Sequence, residues 1–282
     1  MLKLSKKVMI VVKKYDSLKK LNDKKFKRAV GIPRELFEIY VLVIIAALKE
    51  KHKKRGRNPK LKAEDILLLM FYYYRDYDSY FKLGIYFDID ESNAYRWVKW
   101  CEETLQNYSI EPFNNQSLTK EKEYIVDVME CPIERPKMQE IQKEYYSGKK
   151  KKHTIKIQII IESNTKRIVY VAFDKGSVHD FNVFKNSTKD LSELLKFLAD
   201  SGYQGIQNLF KNSLTPKKKS KYNPLTDEDK ELNKLISSNR IAIEHVNSQL
   251  KVFKILSERY RNRINSFIPR AIFICSLYNY SL

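Results

Sequence analysis

NRIAIEHVNSQLKVFK, residues 239–254, is the most informative stretch of this sequence. If it forms a helix, with about 100° of rotation per residue, one side of that helix carries a polar stripe. The stripe consists of Arg240, Glu244, Asn247 and Lys251. The apolar residues are centred on the opposite side, and they are Ile241, Ala242, Val246, Leu250, Val252, Phe253 and Leu256. The pattern therefore predicts a helix with one carboxylate between two cations and a buried face opposite them.

Two interpretations of this stripe are open. Arg240 and Glu244 lie four residues apart, and such a pair on a solvated helix contributes only about 0.2–0.5 kcal/mol to helix stability. Alternatively, the carboxylate and its flanking cations belong to a site that handles phosphate and metal. The stretch alone does not separate these hypotheses, but two aspartates upstream favour the second.

The bulk composition indicates a folded protein with a polyanionic partner. Of the 282 residues, 43% are hydrophobic and 12% aromatic, which is enough for a sizeable core. The formal net charge is +20, so nucleic acid is the first candidate partner and an anionic membrane surface the second. The apolar run at residues 37–48 contains Glu38 and is too short to span a bilayer, so no membrane-spanning segment is predicted.

The cysteines indicate a reducing compartment. They are odd in number, widely spaced and without a C-x-x-C pair, and they are Cys101, Cys131 and Cys275. This spacing indicates neither a disulfide framework nor a zinc site. A short apolar run near the N-terminus, without a small-residue cleavage site, argues against a signal peptide. We therefore expect a cytoplasmic protein.

The periodicity of the chain predicts three domains. Residues 1–60 are lysine-rich and predict a basic helical arm, and residues 61–116 predict a helix-turn-helix domain. Residues 106–122 are polar and contain Pro112, which marks a boundary. Residues 117–282 change to short strands alternating with helices.

The predicted helix-turn-helix has helices at residues 63–75 and 80–86 and a third helix that ends near Leu105. In this motif the last helix enters the major groove of DNA, and its first residues contact base edges. The candidates for DNA contact on it are Asn93, Arg96 and Lys99. The motif predicts DNA binding, and an ordinary three-helix bundle, which can show the same spacing, is the alternative.

Three carboxylates occupy informative positions in the last domain. Asp127 interrupts an apolar strand, where a charge is costly unless it has a partner. Asp200 follows a second apolar run, and Glu244 lies on the late helix. This order of elements predicts an α/β domain of the ribonuclease-H-like class, in which the three acids meet at one edge of the sheet. Like charges repel there, and Mg²⁺, which prefers oxygen ligands, resolves the repulsion.

Five segments of the sequence resemble the DDE transposases of IS5-like insertion sequences, within the wider IS4-type superfamily. They are IVDVMECPIERPK (125–137), QKEYYSGKKKKHTIKIQ (142–158), GSVHDFNVF (176–184), LADSGYQG (198–205) and RIAIEHVNSQLKVFK (240–254). The last contains the superfamily's R-x3-E-x6-K signature, met by Arg240, Glu244 and Lys251. Two positions depart from the pattern: Ser237 replaces the signature's tyrosine, and Met129 stands where threonine is common.

The resemblance implies an enzyme. Asp127, Asp200 and Glu244 would be its catalytic triad and would bind two Mg²⁺ (or Mn²⁺) ions. Such enzymes cut double-stranded DNA at the terminal inverted repeats of the element and join the freed 3′-hydroxyl to target DNA. Two ends of the element must be held together, so a homodimer or larger assembly on DNA is expected. The expected location is the cytoplasm of a prokaryote, where the protein would associate with the nucleoid.

Other residues are expected to contact DNA near the triad. Arg240 and Lys251 flank Glu244 and would meet phosphates of the bound strand. Lys149 and Lys150, in the run YYSGKKKK (145–152), are candidates for phosphate contact, although a solvated loop is the alternative. His179 and Asp180 match a His-Asp pair of the family, and either helix capping or metal contact would explain the pair.

Two alternatives to an active transposase are open. The first is an inactive or domesticated transposase that acts as a sequence-specific DNA-binding protein. The second is another ribonuclease-H-like nuclease that cleaves without strand transfer. The three acids argue against the first, and the helix-turn-helix together with the five segments argues against the second.

Overall fold

The computed structural model describes residues 14–53, 59–107, 113–219 and 224–282, and parts of the predicted arm and boundary lie outside them. The helices are α1 (Tyr15–Leu18), α2 (Asp23–Val30), α3 (Arg34–Lys53), α4 (Ala63–Arg75), α5 (Tyr80–Phe87), α6 (Glu91–Asn107), α7 (Gln139–Tyr145), α8 (Asp180–Thr188), α9 (Asp227–Leu250), α10 (Lys254–Ser257) and α11 (Phe267–Tyr280). The strands are β1 (Glu123–Pro132), β2 (Tyr146–Ser147), β3 (Lys152–Glu162), β4 (Ile168–Lys175) and β5 (Lys196–Leu198). Within the described ranges, no helix has both the length and the apolar character that crossing a membrane requires.

The chain divides into two compact units. The helical unit is Met1–Glu111 with Phe253–Ile255 and Ser281, and the α/β unit is Pro112–Val252 with Leu256–Tyr280 and Leu282. Within the expected basic arm, the described residues 14–53 lie in the same compact unit as the predicted helix-turn-helix. The division into three functional domains stays a prediction.

The helix-turn-helix elements of the helical unit lie close to where the sequence places them. Helix α4 has the predicted bounds, α5 is one residue longer, and α6 ends two residues later than predicted. The Ser79 side chain caps α5 by accepting a hydrogen bond from the Lys82 N–H at 3.2 Å. A Cβ at Gly84 would lie 2.6 Å from the Ile89 carbonyl oxygen, so only glycine allows the chain to turn this closely into α6.

Aromatic rings tie the first helices to this bundle. Tyr15 stacks on Phe37 with ring centroids 5.2 Å apart, and Phe37 contacts Phe71 of α4 at 6.0 Å. The backbone N–H of Tyr15 donates to the buried carboxylate of Asp65 at 3.0 Å. The N-terminal helices therefore complete the core of the helical unit, because their buried rings pack directly on α4.

The sheet of the α/β unit has strands in the order β4-β3-β1-β5, and β2 pairs with the start of β3. Strand β3 runs antiparallel to β1 and β4, whereas β5 runs parallel to β1. Strand β3 is buried over eight consecutive positions, although its isoleucines alternate with Thr154, Lys156 and Gln158, because the strand is central and covered on both faces. This mixed α/β arrangement is consistent with the predicted ribonuclease-H-like class.

Helices cover both faces of this sheet. Helix α8 packs on β3 and β4, over a core that includes Tyr124, Phe184 and Phe197. Helix α9 packs on β1 and β5, and α11 packs on α9 and β4. Because side chains alternate along a strand, Val126 points into the α8 core and Asp127 points toward the α9 side.

Helix α9 differs in two respects from the helix expected at residues 239–254. It begins at Asp227, behind a capping box between Thr226 and Asp229, and ends at Leu250. Its buried residues are Ile236, Ile243, Val246, Asn247 and Leu250. Ile241 and Val252, expected to be buried, are 48% and 39% exposed. The buried face therefore lies next to the polar stripe, not opposite it, because α9 packs against the edge of the sheet where the carboxylates lie.

The aromatic core of the helical unit can be tested with two phenylalanines. Phe71→Ala should lower the free energy of unfolding of this unit by about 3–5 kcal/mol, because Phe71 is fully buried. Phe81→Ala should change it by less than about 0.5 kcal/mol, because Phe81 is 62% exposed. Both tryptophans, Trp97 and Trp100, lie in α6, so their fluorescence in a urea titration reports on this unit. Equal effects of the two substitutions would contradict this description of the core.

Candidate active site at the edge of the sheet

The register of two parallel strands brings Asp127 and Asp200 together. Strand β5 pairs with β1 so that Ile125 lies beside Leu198. Asp127 and Asp200 each lie two residues further along the chain, at the end of the sheet where β5 stops. Neighbouring strands lie about 4.8 Å apart, so the two carboxylates occupy adjacent positions at this edge.

Asp127 is an unusual carboxyl group. Burial raises its pKa to about 6, and the nearby carboxylates of Asp200 and Asp180 add to this increase. The backbone N–H of Val128 and the Arg240 guanidinium lower the pKa and offset part of the rise. A carboxylate held in this way is poorly hydrated and gains from a cation more than a carboxylate in water does.

Asp200 is held by its own chain. It caps the short 3-10 helix Ser201–Tyr203, and its Oδ1 accepts a hydrogen bond from the Gly202 N–H at 2.7 Å. Its Oδ2 lies 4.0 Å from Nη2 of Arg240. The Asp200 side chain is 38% exposed, so it faces solvent at the point where Asp127 is covered.

Helix α9 contributes two polar side chains to this edge. Arg240 points inward, with its side chain 18% exposed and its Nε buried without a hydrogen-bond partner among the described residues. Asn247 is buried, and its Nδ2 donates a hydrogen bond to Oδ2 of Asp127 at 2.9 Å. Half of the predicted polar stripe therefore contacts the site, which excludes a fully solvated stripe.

Glu244 does not join the two aspartates. Its side chain is exposed, and among the described residues no three His, Cys, Asp or Glu side chains are grouped so that they could hold a metal ion. The expected meeting of all three carboxylates at the sheet edge is therefore not observed. Helix α9 turns its apolar residues Ile243, Val246 and Leu250 toward the sheet, and this orientation leaves Glu244 at the flank of the buried face, where its carboxylate is exposed to solvent.

Three further polar side chains surround the site. Tyr203 is buried, and its hydroxyl has no hydrogen-bond partner in the described part of the chain. Burial raises the pKa of Tyr203, and the carboxylates of Asp127, Asp180 and Asp200 raise it further. Lys156, buried in β3, donates to Asp180 Oδ1 at 2.7 Å and to a backbone carbonyl at 2.5 Å.

Tyr203 and Lys156 were not predicted as site residues, although both lie in segments that resemble the family. Lysine within an apolar strand was a usable signal, because a buried ammonium group needs an acidic partner.

The structure shows what each member of the His179-Asp180 pair contacts within the protein. His179 Nδ1 caps α8 by accepting from the Phe181 N–H at 3.3 Å, and Asp180 pairs with Lys156.

The predicted DNA-contacting residues fall into two groups. On α6, Arg96 is exposed and Asn93 is partly exposed. Lys99 instead pairs with the buried Glu102, with 3.1 Å between Nζ and Oε2. The pairing reduces the number of donors that Lys99 can offer to DNA.

The second group lies in the α/β unit. Lys149 and Lys150 are exposed in the turn that joins β2 to β3. Lys251 is exposed at the C-cap of α9. Contact of these residues with DNA stays a prediction.

The chemistry of the sheet edge fits a divalent cation. Asp127 and Asp200 supply carboxylate oxygens at neighbouring positions, which Mg²⁺ prefers as ligands. The Oδ1 of Asn247 is a buried oxygen with no hydrogen-bond partner among the described residues. These residues therefore fit part of a cation site, and Glu244 would have to turn inward to complete it.

The raised pKa of Asp127 predicts a pH-dependent stability. Between about pH 4 and pH 6 the folded protein holds a proton on Asp127 that the unfolded chain releases, so stability falls as pH rises through this window. The free energy of unfolding falls by up to about 3 kcal/mol across this window. Asp127→Asn does not titrate and should lack this loss. Urea denaturation followed by circular dichroism, with a chelator present, measures the difference, and parallel pH profiles for the two proteins would contradict it.

Two family models match the chain. A family model for a DDE superfamily endonuclease matches residues 126–279, and a model for the helix-turn-helix of DDE superfamily endonucleases matches residues 59–107. A protein from Microchaete diplosiphon described as "Probable transposase for insertion sequence element IS702" is 42% identical over 275 residues. The alignment covers 95% of this chain and 98% of that protein.

A crystal structure of a pre-cleavage Mos1 transpososome matches with a TM-score of 0.18 and 10% identity, over 80% of each chain. Membership of the IS5-like group stays a prediction. The helix-turn-helix match implies DNA binding. The family match spans more than half of the chain, which therefore belongs to the DDE superfamily endonucleases.

Proposed function

We propose that this protein is the transposase of an insertion sequence. It would bind the terminal inverted repeats of the element, cleave DNA there by metal-dependent phosphoryl transfer and join the 3′-hydroxyl ends to target DNA. The observation that carries the proposal is the adjacent placement of Asp127 and Asp200 in a member of the DDE superfamily endonucleases. The relative described as a probable insertion-sequence transposase supports the choice of transposition over cleavage alone.

We assign the acids distinct roles. Asp127 and Asp200 would hold divalent cations at the sheet edge, and Glu244 would complete the set when DNA is bound. Enzymes of the superfamily generally use divalent metals. Two Mg²⁺ or Mn²⁺ ions would supply activation of the attacking oxygen and stabilisation of the leaving oxygen. The specific ion and the number of ions are part of the proposal.

The cations of the protein would position DNA. Arg240 lies beside Asp200 and has unused donor capacity at Nε, so it is suited to a phosphate at the cleavage point. Lys149, Lys150 and Lys251 are exposed and can follow the backbone of the strand. Asn93 and Arg96, on α6, would contact base edges of the terminal repeat. Two ends have to be cut together, so the active form would be a homodimer or larger.

Cleavage of DNA that carries the element's ends tests the catalytic assignment. In Mg²⁺, wild-type protein should nick at the ends, and Asp127→Asn and Glu244→Gln should each reduce the rate by at least about 100-fold, since each removes a charged ligand. Glu231→Gln is the matched control, because Glu231 is also an exposed acid of α9. Specific binding of all four proteins to the ends shows that the variants are folded.

The outcomes separate the candidate functions. Nicking by Glu244→Gln at the wild-type rate would overturn the role of Glu244. Specific binding without nicking by any of the proteins would favour a DNA-binding protein derived from a transposase. Nicking without any joined product would favour a nuclease.

The salt dependence of binding tests the basic turn. Replacing both Lys149 and Lys150 by alanine should weaken binding to all DNA sequences similarly. The slope of log K against log salt concentration should fall by about 1 for each lost phosphate contact. Lys189→Ala is the control, because Lys189 is an exposed lysine of the same unit for which no DNA contact is predicted. An unchanged slope would remove the turn from the DNA-binding surface.

A further inference from the structure

Asn247 is a buried polar residue of α9 that has no assigned role in the proposed function. It lies in α9 three residues after Glu244, and it is 7% exposed. Its amide group contacts Asp127, which is 120 residues earlier in the sequence and lies on β1. A single side chain therefore links the helix that carries Glu244 to the strand that carries Asp127.

The chemistry of the contact fixes the orientation of the amide. An ionised carboxylate can only accept hydrogen bonds, so the NH₂ group of Asn247 must face Asp127. The bond occupies Oδ2 of Asp127 and restricts rotation of the carboxylate. It leaves Oδ1 of Asp127 without a contact from Asn247, and this oxygen can serve as a ligand.

The other end of the amide is also informative. Oδ1 of Asn247 is buried and has no hydrogen-bond partner among the described residues. Leaving a buried carbonyl unsatisfied destabilises the folded state, whereas an apolar side chain of similar size would avoid this cost. The same face of α9 is otherwise apolar around this position, with Ile243, Val246 and Leu250. A polar side chain with one satisfied and one unsatisfied end points to a ligand that binds at the unsatisfied end.

We propose that Asn247 is a positioning residue of the cation site. Its Nδ2 orients the Asp127 carboxylate and holds α9 in register with β1, and its Oδ1 accepts a hydrogen bond from water in the occupied site. The inference rests on the proposed function and deepens it. It adds to the triad a neutral side chain that sets the distance between the first acid and the helix of the third.

Metal binding tests this role without requiring turnover. Asn247→Leu keeps the size of the side chain and removes both polar ends, and Asn247→Ala serves as a second variant if leucine prevents folding. The affinity for Mn²⁺, measured without DNA from the electron paramagnetic resonance of free Mn²⁺, should fall about 10- to 100-fold. Ser248→Ala, at the next and exposed position of α9, should bind Mn²⁺ as the wild type does.

A cleavage assay supplies the second measurement. The Mn²⁺ concentration that gives half-maximal nicking of end DNA should rise by a similar factor in Asn247→Leu. DNA affinity without metal should stay unchanged. A residue with only a structural role would lower stability and leave the half-maximal concentration unchanged well below the unfolding temperature.

The results distinguish the inference from the proposed function. Wild-type protein that binds Mn²⁺ and nicks DNA, with Asn247→Leu and Asn247→Ala equal to it in both assays, would overturn the role of Asn247 alone. Wild-type protein that neither binds Mn²⁺ nor nicks would overturn the proposed function and this inference with it. Weaker Mn²⁺ binding by the Asn247 variants, with Ser248→Ala unchanged, would establish the role.

Discussion

The parallel pairing of β5 with β1 is the constraint on which the site depends. It places Asp127 and Asp200 at neighbouring positions, although they are far apart in sequence. Two carboxylates at neighbouring positions of adjacent strands repel each other, and burial makes ionisation of Asp127 still less favourable. Hydrogen-bond donors offset part of this repulsion: the Gly202 N–H donates to Asp200, and the Asn247 amide donates to Asp127. The site is thus arranged to gain from a divalent cation.

The core beneath the site makes this arrangement rigid. Tyr124, Phe184 and Phe197 pack between the sheet and α8, with ring centroids 5.1 Å apart for Phe184 and Phe197. Tyr203 extends this cluster up to the carboxylates. Because dense aromatic packing resists displacement, β1 and β5 are held in place while the side chains at this edge carry charge. The buried Lys156–Asp180 pair adds a fixed ionic contact beside them.

Charge is distributed differently in the two units. In the helical unit Lys99 is paired with Glu102, so Asn93 and Arg96 are the predicted contact residues of α6 left to meet DNA directly. In the α/β unit the exposed lysines of the β2–β3 turn face water. A net charge of +20 attracts DNA over a long range, whereas Arg240, held beside Asp200, would under the proposed function determine where a phosphate comes to rest.

The helix-turn-helix, the order of strands and helices, and the positions of Asp127 in β1 and Asp200 after β5 were predictable from the sequence. These features follow from local rules: periodicity, capping by Ser79, and the cost of a charge in an apolar strand. The family resemblance is carried by short motifs, and short motifs keep their spacing in the linear sequence. The positions of Asp127 and Asp200 within the strands and loops, and the class of the fold, can therefore be predicted from the sequence alone.

The tertiary structure alone established which face of α9 is buried, that Asn247 contacts Asp127, and that Glu244 stays exposed. Helical periodicity gives the angles between residues but not the direction of the face that packs on the sheet. For this reason the apolar side chain of Ile241 is exposed to solvent, and the polar side chain of Asn247 is buried. Contacts between residues far apart in sequence depend on how helices and strands pack. The packing is set by apolar burial and by charge over the whole unit, so a local sequence pattern does not determine which face of α9 is buried.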